Sequence, residues 1–382
     1  CGTEEMYFAT DHLAADAGIE VTASHNPMDY NGMKLVAAGA RPLSETQFQA
    51  VKARAVAGVF GPDRAGKVAA VNPRAAYVAR LMSFVDVAAL RPLKVVVNAG
   101  NGAAGPSFDA LAEGLAAAGA PLEFVRIHHQ PDSSFPNGIP NPLLPENQPV
   151  TARAVRAHGA DLGVAWDGDF DRCFLFDETG AFVAGEYVVG LLAEVFLAKE
   201  PGASIVHDPR VIWNTQDVVA RAGGRAVMAP TGHAYLKAAM RAHGAVYGGE
   251  MSAHHYFRDF MCCDSGMIPW LLVAELMGRS GQSLSALLAA RRAAFPSSGE
   301  VNFRVADAKK IIAKIAYTYG AQAEDVDSLD GHSFDMGAWR FNLRSSNTEP
   351  LLRLNVEARA ERGGDAGLVA LKVAELSAVI QG

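Results

Sequence analysis

Short apolar runs of strand length alternate with stretches whose apolar positions recur at helical spacing. From Leu93, "LKVVVNAGNGAAG" predicts a strand entering a glycine-rich loop, "FDALAEGLAAAG" a helix ending at Gly119, and "LEFVRIH" a second strand. A similar series follows. "ASIVHDPR" predicts a strand, "TQDVVARAG" a helix and "RAVMAP" a strand, then the loop "TGHAY", the helix "LKAAMRAHG" and the strand "AVYGGE". Such alternation means α/β units with parallel pairing, one supersecondary theme used more than once. Ligands of such sheets collect in loops beyond the C-terminal ends of strands.

Between the two series lies "QPDSSFPNGIPNPLLPENQP", with prolines at 131, 136, 140, 142, 145 and 149. Proline at that density predicts an extended loop, free of helix and central strand. The pattern changes again near Pro296-Ser297-Ser298-Gly299. Beyond it, strand "EVNFRVA", helix "AKKIIAKIAYTYG", strands "SFDMGAWRFNLR" and "LLRLNVEA" and a closing helix predict a smaller α+β domain.

At 382 residues the chain exceeds one ordinary core, so several domains are expected. Half of its residues are hydrophobic and a fifth charged, a soluble globular composition. A net charge of −7 argues against nucleic acid or an anionic membrane as partner, while leaving room for a local basic pocket and an acidic small substrate. No apolar run reaches membrane-spanning length, and no signal peptide is visible. The four cysteines (Cys1, Cys173, Cys262 and Cys263) lack metal-ligand spacing. They are expected to be buried inert thiols of a reducing, cytoplasmic compartment.

Four polar loops carry candidate chemistry. In "TASHNP", followed by "NGMK", Ser24 stands beside His25 and ten residues before Lys34; a plain Asn-Pro turn is the bland alternative. "DGDFDR" places Asp167, Asp169 and Asp171 at alternating positions between the apolar runs "LGVAW" and "CFLF". Like charges about 4 Å apart repel by several kcal/mol at an effective dielectric near 20, and a hard divalent ion removes that repulsion. A calcium hand fits poorly, because Arg172 stands where such a loop needs glycine and the flanks read as strands. A charged hairpin tip without an ion stays open. "GEMSAHH" follows a strand: Glu250 and Ser252 suit vicinal hydroxyls, and His254 suits a proton shuttle. The histidine pair as a zinc fragment lacks a third ligand at metal spacing, and a satisfied polar turn is the alternative. "RSSNTEP" offers the Arg344 guanidinium, hydroxyls, an amide and turn N–H groups, an inventory that fits a phosphate dianion, with a plain Ser/Asn/Pro turn as the alternative.

In this order, spread from residue 22 to residue 350, the four motifs resemble the α-D-phosphohexomutase superfamily, within it the bacterial phosphomannomutase and phosphomannomutase/phosphoglucomutase type. The resemblance covers essentially the whole chain. It implies three α/β mixed-sheet domains plus a smaller C-terminal α+β domain around a central cleft, with borders at 1–79, 80–181, 182–297 and 298–382. Ser24 would be the phosphoserine. Asp167, Asp169 and Asp171, with a phosphate oxygen on Ser24, would hold Mg2+. His25 and Lys34 would offset charge on the transferring group, and His254 or Lys34 would exchange the substrate proton. Glu250 and Ser252 would meet sugar hydroxyls. Arg172, Arg210, Thr231, Gly232 and His233 would add substrate contacts, and Arg344, Ser346, Asn347 and Thr348 would bind the phosphate that is not reacting.

The resemblance further implies interconversion of hexose 1-phosphate and 6-phosphate (mannose, with glucose as second substrate) through a 1,6-bisphosphate, which also serves as activator. A mannose product would supply GDP-mannose for polysaccharide. The chain would be a monomer, with a dimer as the alternative. The rivals are a phosphoglucosamine mutase and a binding paralogue without turnover. The family begins with a glycine-rich loop and an arginine that this chain, opening on "CGTEEMYFAT", lacks; a preceding segment is expected.

Overall fold

The computed structural model describes residues 1–58, 61, 66–345 and 351–382. Its first layer is the helix Thr3–His12, buried from Thr3 to Phe8 and at Thr10, against a three-stranded antiparallel sheet of Ala17–Val21, Met33–Ala37 and Arg41–Pro42. The "TASHNP" loop joins the first two of these strands. A capping box at Ser44 and Gln47 starts the helix Glu45–Ala57, and Gly58, in the left-handed region, ends it.

Two five-stranded mixed sheets follow, and they repeat one strand order. In the first, Leu122–Ile127, Leu93–Asn98 and Leu162–Trp166 pair in parallel, and Cys173–Phe176 and Phe182–Val183 close the edge antiparallel. In the second, Arg225–Met228, Ser204–His207 and Tyr247–Gly249 are parallel, and His255–Phe257 and Cys263–Asp264 are antiparallel. The repeated theme expected from the sequence is therefore topological. It sets "DGDFDR" and "GEMSAHH" at the same place in their sheets, after the third parallel strand, where a connection to an antiparallel edge must reverse the chain.

The last unit is a five-stranded antiparallel sheet in the order Ser297–Arg304, Leu351–Ala358, Trp339–Ser345, His332–Asp335, Asp325–Asp327, packed on helices Ala308–Tyr319 and Ala366–Gln381. One continuous core runs from Met6 to Leu288, whereas the last sheet has its own core, from Phe303 to Ile380. A polar clamp joins them. Glu357 accepts from the N–H groups of Ile212 and Trp213 at 2.9 and 3.0 Å, capping the helix Trp213–Arg221, and pairs with Arg340 at 2.9 Å. Arg340 in turn donates to the carbonyls of Pro209 and Arg210.

Three local expectations change. "SFDMGAWRFNLR" is two strands, because Gly337 at φ 82° turns the chain between them. The proline-rich segment does contain helix: Gln148–His158 starts inside it, with Pro149 in the first turn, where a missing N–H costs nothing. Cys1 is exposed, and only Cys173, Cys262 and Cys263 are buried. No helix among the described residues is long and apolar enough to cross a membrane.

Candidate active site

Ser24 sits in the left-handed backbone region at φ 53°, a strained setting for a side chain with a Cβ. Its N–H bonds to the Thr22 hydroxyl at 2.8 Å. Its carbonyl is pressed against Gly168: a Cβ there would lie 2.2 Å from the Ser24 oxygen. The "TASHNP" and "DGDFDR" loops thus meet backbone to backbone, which only glycine permits. The Ser24 hydroxyl then donates to Asp167 at 3.0 Å and lies 3.1 Å from His25 Nδ1.

Asp167, Asp169 and Asp171 are all buried, with carboxylate oxygens within 4.8 Å of one another. Lys34 bridges Asp169 at 2.8 Å and Asp171 at 2.5 Å, Arg172 pairs with Asp167 at 2.7 Å, and the Thr3 hydroxyl donates to Asp169 at 2.7 Å. Even so, the Oδ1 atoms of Asp169 and Asp171 are buried without a hydrogen-bond partner among the described residues. Unpartnered carboxylate oxygens beside a third carboxylate are the donor set of a hard divalent cation, so the residues fit a magnesium-type ion.

Burial pushes the Asp171 carboxyl up to about 7, and the neighbouring Asp169 charge pushes the same way against Lys34. Burial acts on Asp169 too, but Lys34 and Thr3 hold that carboxyl well below the usual range. Burial, then Arg172, pushes the His25 imidazole down to about 4, so it faces Ser24 neutral. For His254 burial works downward, but Asp171 and Asp264 outweigh it and raise the imidazole above its ordinary value. Its Nδ1 is 2.9 Å from Asp264 and 3.8 Å from Asp171.

A second cluster lies beside the first. Arg210 is buried and meets Asp208 at 2.8 Å, Ser252 at 3.1 Å and Glu250 at 3.4 Å. The main chain ties the clusters together, since the Glu250 N–H bonds to the His254 carbonyl at 2.9 Å. Glu300 stands among Arg210 at 3.6 Å, Arg344 at 3.8 Å and Arg353 at 3.6 Å. Burial and then the Arg210 charge lower the Arg344 guanidinium below its usual value, and the Nε atoms of Arg210 and Arg344 are buried without a hydrogen-bond partner among the described residues. Crowded guanidiniums with spare donors are suited to an anion. Thr231 and Gly232 stand at the N-terminus of the helix His233–His243, and the Thr231 N–H bonds to Asp330 of the last unit at 3.1 Å. Ser346, Asn347 and Thr348 lie outside the described residues.

The same arrangement of segments marks a known family. Residues 1–60, 75–180 and 184–295 match the phosphoglucomutase/phosphomannomutase alpha/beta/alpha domains I, II and III, and residues 300–370 match the C-terminal domain of that family. The chain belongs to the phosphoglucomutase/phosphomannomutase family. As a phosphohexose mutase of that family it is an isomerase. It is 59% identical over 379 residues to a phosphomannomutase of Salmonella montevideo, covering 98% of this chain and 82% of that protein. It is 57% identical over 387 residues to phosphohexose mutases of Xanthomonas campestris pv. campestris, covering 100% of this chain and 84% of the relative. Among solved structures, a phosphoglucomutase/phosphomannomutase family protein from Burkholderia thailandensis superposes with a TM-score of 0.82 at 32% identity, over 98% of this chain and 80% of that one.

Within this family site, sequence reasoning missed Thr3, Lys237, Asp264 and Glu300, each of which touches a residue it had singled out or the partner of one. Thr3, Lys237 and Glu300 lie in helices or a strand, and Asp264 closes an edge strand, where nothing local separates them from ordinary core or surface residues.

Proposed function

We propose that the chain interconverts hexose 1-phosphates and 6-phosphates, mannose first and glucose second, through a phosphoserine at Ser24. The carrying observation is that Ser24, on a strained turn, is held within 3.0 Å of one of three converging carboxylates. In the first transfer a hexose-phosphate hydroxyl attacks the phosphorus on Ser24. Its O–P bond forms as the Oγ–P bond breaks, and its proton passes to a base. The product is a hexose 1,6-bisphosphate, which also primes unphosphorylated enzyme. After reorientation, the other phosphate returns to Ser24 Oγ by the reverse chemistry.

The residues divide this work. Lys34 is committed to two carboxylates, whereas His254 Nε2 makes no hydrogen bond among the described residues, so His254 is the proton acceptor we assign. Arg172 and His25 flank the reacting phosphate. Glu250 and Ser252, held by Arg210, meet the sugar hydroxyls, with Thr231, Gly232 and His233 at the cleft's edge. Arg344, with Ser346, Asn347 and Thr348, takes the phosphate at rest, displacing the weak contact to Glu300. Asp167, Asp169 and Asp171 would hold Mg2+ with a phosphate oxygen. When bound, the ion supplies charge neutralisation at the transferring phosphoryl group. We place the domain borders at 79/80, 181/182 and 297/298. The separate core of the last unit supports its closing over the substrate as a body, which would keep water from the phosphoserine.

The test is direct. With magnesium and a trace of glucose 1,6-bisphosphate, mannose 1-phosphate and glucose 1-phosphate are supplied separately and each 6-phosphate is followed by phosphorus NMR. Conversion of mannose 1-phosphate supports the reading. No conversion of either, with phosphate verified on Ser24, sinks it in favour of a glucosamine phosphate or of binding without turnover.

A further inference from the structure

Behind His254 lies a chain of buried charges. Asp264 is wholly buried, and its Oδ2 is 2.9 Å from His254 Nδ1. Its other oxygen, Oδ1, is 2.7 Å from Lys237 Nζ. Lys237, in the helix His233–His243, is 1% exposed, and its ammonium lies 3.8 Å from the centre of the Tyr7 ring. From the side, the His254 ring packs on Tyr256 with centroids 6.2 Å apart. The imidazole is thus fixed at one nitrogen and one face, and 20% of the side chain stays exposed.

Donor counting gives this arrangement a consequence. An ammonium has three donors and no acceptor, so the ion pair of Lys237 with Oδ1 favours an oxygen of residue 264 on that side. A carboxylate has a second oxygen left, and that oxygen can only accept. His254 Nδ1 must therefore carry its proton, which leaves Nε2 with its lone pair for the substrate.

We propose that Asp264, backed by Lys237, is a positioning residue that selects the Nδ1–H tautomer of His254 and so presents Nε2 to the substrate hydroxyl. The inference rests on the reading of His254 as the proton acceptor. Neither Asp264 nor Lys237 touches the reacting atoms in this scheme.

The sharpest test is Asp264→Asn. The carboxamide has one oxygen, which Lys237 claims. Its NH2 then faces His254 Nδ1 and forces the opposite tautomer. An Asp-to-Asn change of this kind beside a catalytic histidine costs about 10^4-fold in kcat in a serine protease. Here the expected fall is about 10^2- to 10^4-fold in kcat, with KM for mannose 1-phosphate within about threefold of the parent. The double variant Asp264→Asn with Lys237→Met frees the carboxamide to turn its oxygen toward His254. It should recover about tenfold or more of the lost kcat.

A readout independent of activity comes from nitrogen-15 spectra of histidine-labelled protein, with His254→Gln used to assign the resonance. At a pH high enough to keep the His254 ring neutral, Nε2 should be unprotonated in the parent, proton-bearing in the single variant and unprotonated again in the double. An unchanged tautomer in Asp264→Asn overturns the proposal, as does a double variant no faster than the single. If His254→Gln keeps full kcat while the spectra invert as described, the tautomer selection stands and the proton-acceptor role of His254 falls.

Discussion

The Ser24 hydroxyl and Arg172 Nε donate to the same oxygen of Asp167, at 3.0 and 2.7 Å. One carboxylate oxygen therefore aligns the phosphoryl carrier with the guanidinium on the far side of the acidic loop. Replacing Ser24 by alanine removes the carrier but keeps a Cβ in the same backbone setting, so the fold should hold. The expected result is loss of kcat by about 10^4-fold or more, with unchanged thermal stability and no phosphorylated peptide at Ser24 by mass spectrometry. Retained turnover would remove Ser24 from the mechanism.

Gly168 tests how finely that alignment is set. A Cβ at this position would meet the Ser24 carbonyl oxygen at 2.2 Å and its carbon at 3.2 Å, both main-chain atoms that cannot rotate away. Gly168→Ala must part the two loops. A displacement of about 1 Å at reacting groups costs about 10^2-fold, and a fall of that size in kcat is expected. The comparison is Gly138→Ala, in open space, where only its φ of 91° adds strain and kcat should hold.

The Ser24–Asp167 contact also marks how far the sequence could be read. Apolar runs located the parallel strands, and the four polar loops were legible because each combines turn residues with a dense set of donors and acceptors. What stayed hidden was long-range. Nothing near Asp264 announces that it pairs with Lys237, 27 positions earlier in sequence, because a buried ion pair has no local periodicity. The split at Gly337 was missed because "SFDMGAWRFNLR" keeps strand-like composition across the turn. Helix initiation at Gln148 was missed because proline density reads as loop unless the first-turn exception is recognised.

Lys34 is the resident cation of the acidic cluster, pairing with Asp169 and Asp171. Lys34→Met leaves two buried carboxylates without it, a loss on the order of 3–5 kcal/mol for a buried pair deprived of one partner. A divalent ion should make up much of that loss. The expected outcome is that chelation lowers the melting temperature of Lys34→Met more than that of the parent, and that magnesium closes the gap. Scanning calorimetry with magnesium and with chelator decides it. Equal chelator effects on both proteins would argue that the ion and Lys34 do not share these carboxylates.

Glu4 ties the first domain to the third. It is fully buried in the helix Thr3–His12, yet its carboxylate caps a helix of another domain: it accepts from the N–H groups of Gly266 and Met267, at 2.5 and 3.2 Å, just before Ile268–Ser280. Its other oxygen accepts from the Ser265 hydroxyl at 2.9 Å and from the Tyr77 hydroxyl. Burial pushes this carboxyl up to about 8 against the pull of those donors. The sign follows from proton counting. Between about 4.5, where the unfolded glutamate titrates, and about 8, the folded protein holds a proton that the unfolded chain has lost. The Glu4 contribution to stability is thus largest at low pH, falls as pH rises through that window, and levels off above it. Glu4→Gln should flatten this slope at little cost: its oxygen serves the two N–H groups, and its NH2 donates to the hydroxyls of Tyr77 and Ser265, which can turn to accept. Glu4→Ala should cost about 1–3 kcal/mol for each backbone N–H left buried without an acceptor. Melting temperatures of the three proteins across this pH window test the argument, and a parent slope no steeper than that of Glu4→Gln would contradict it.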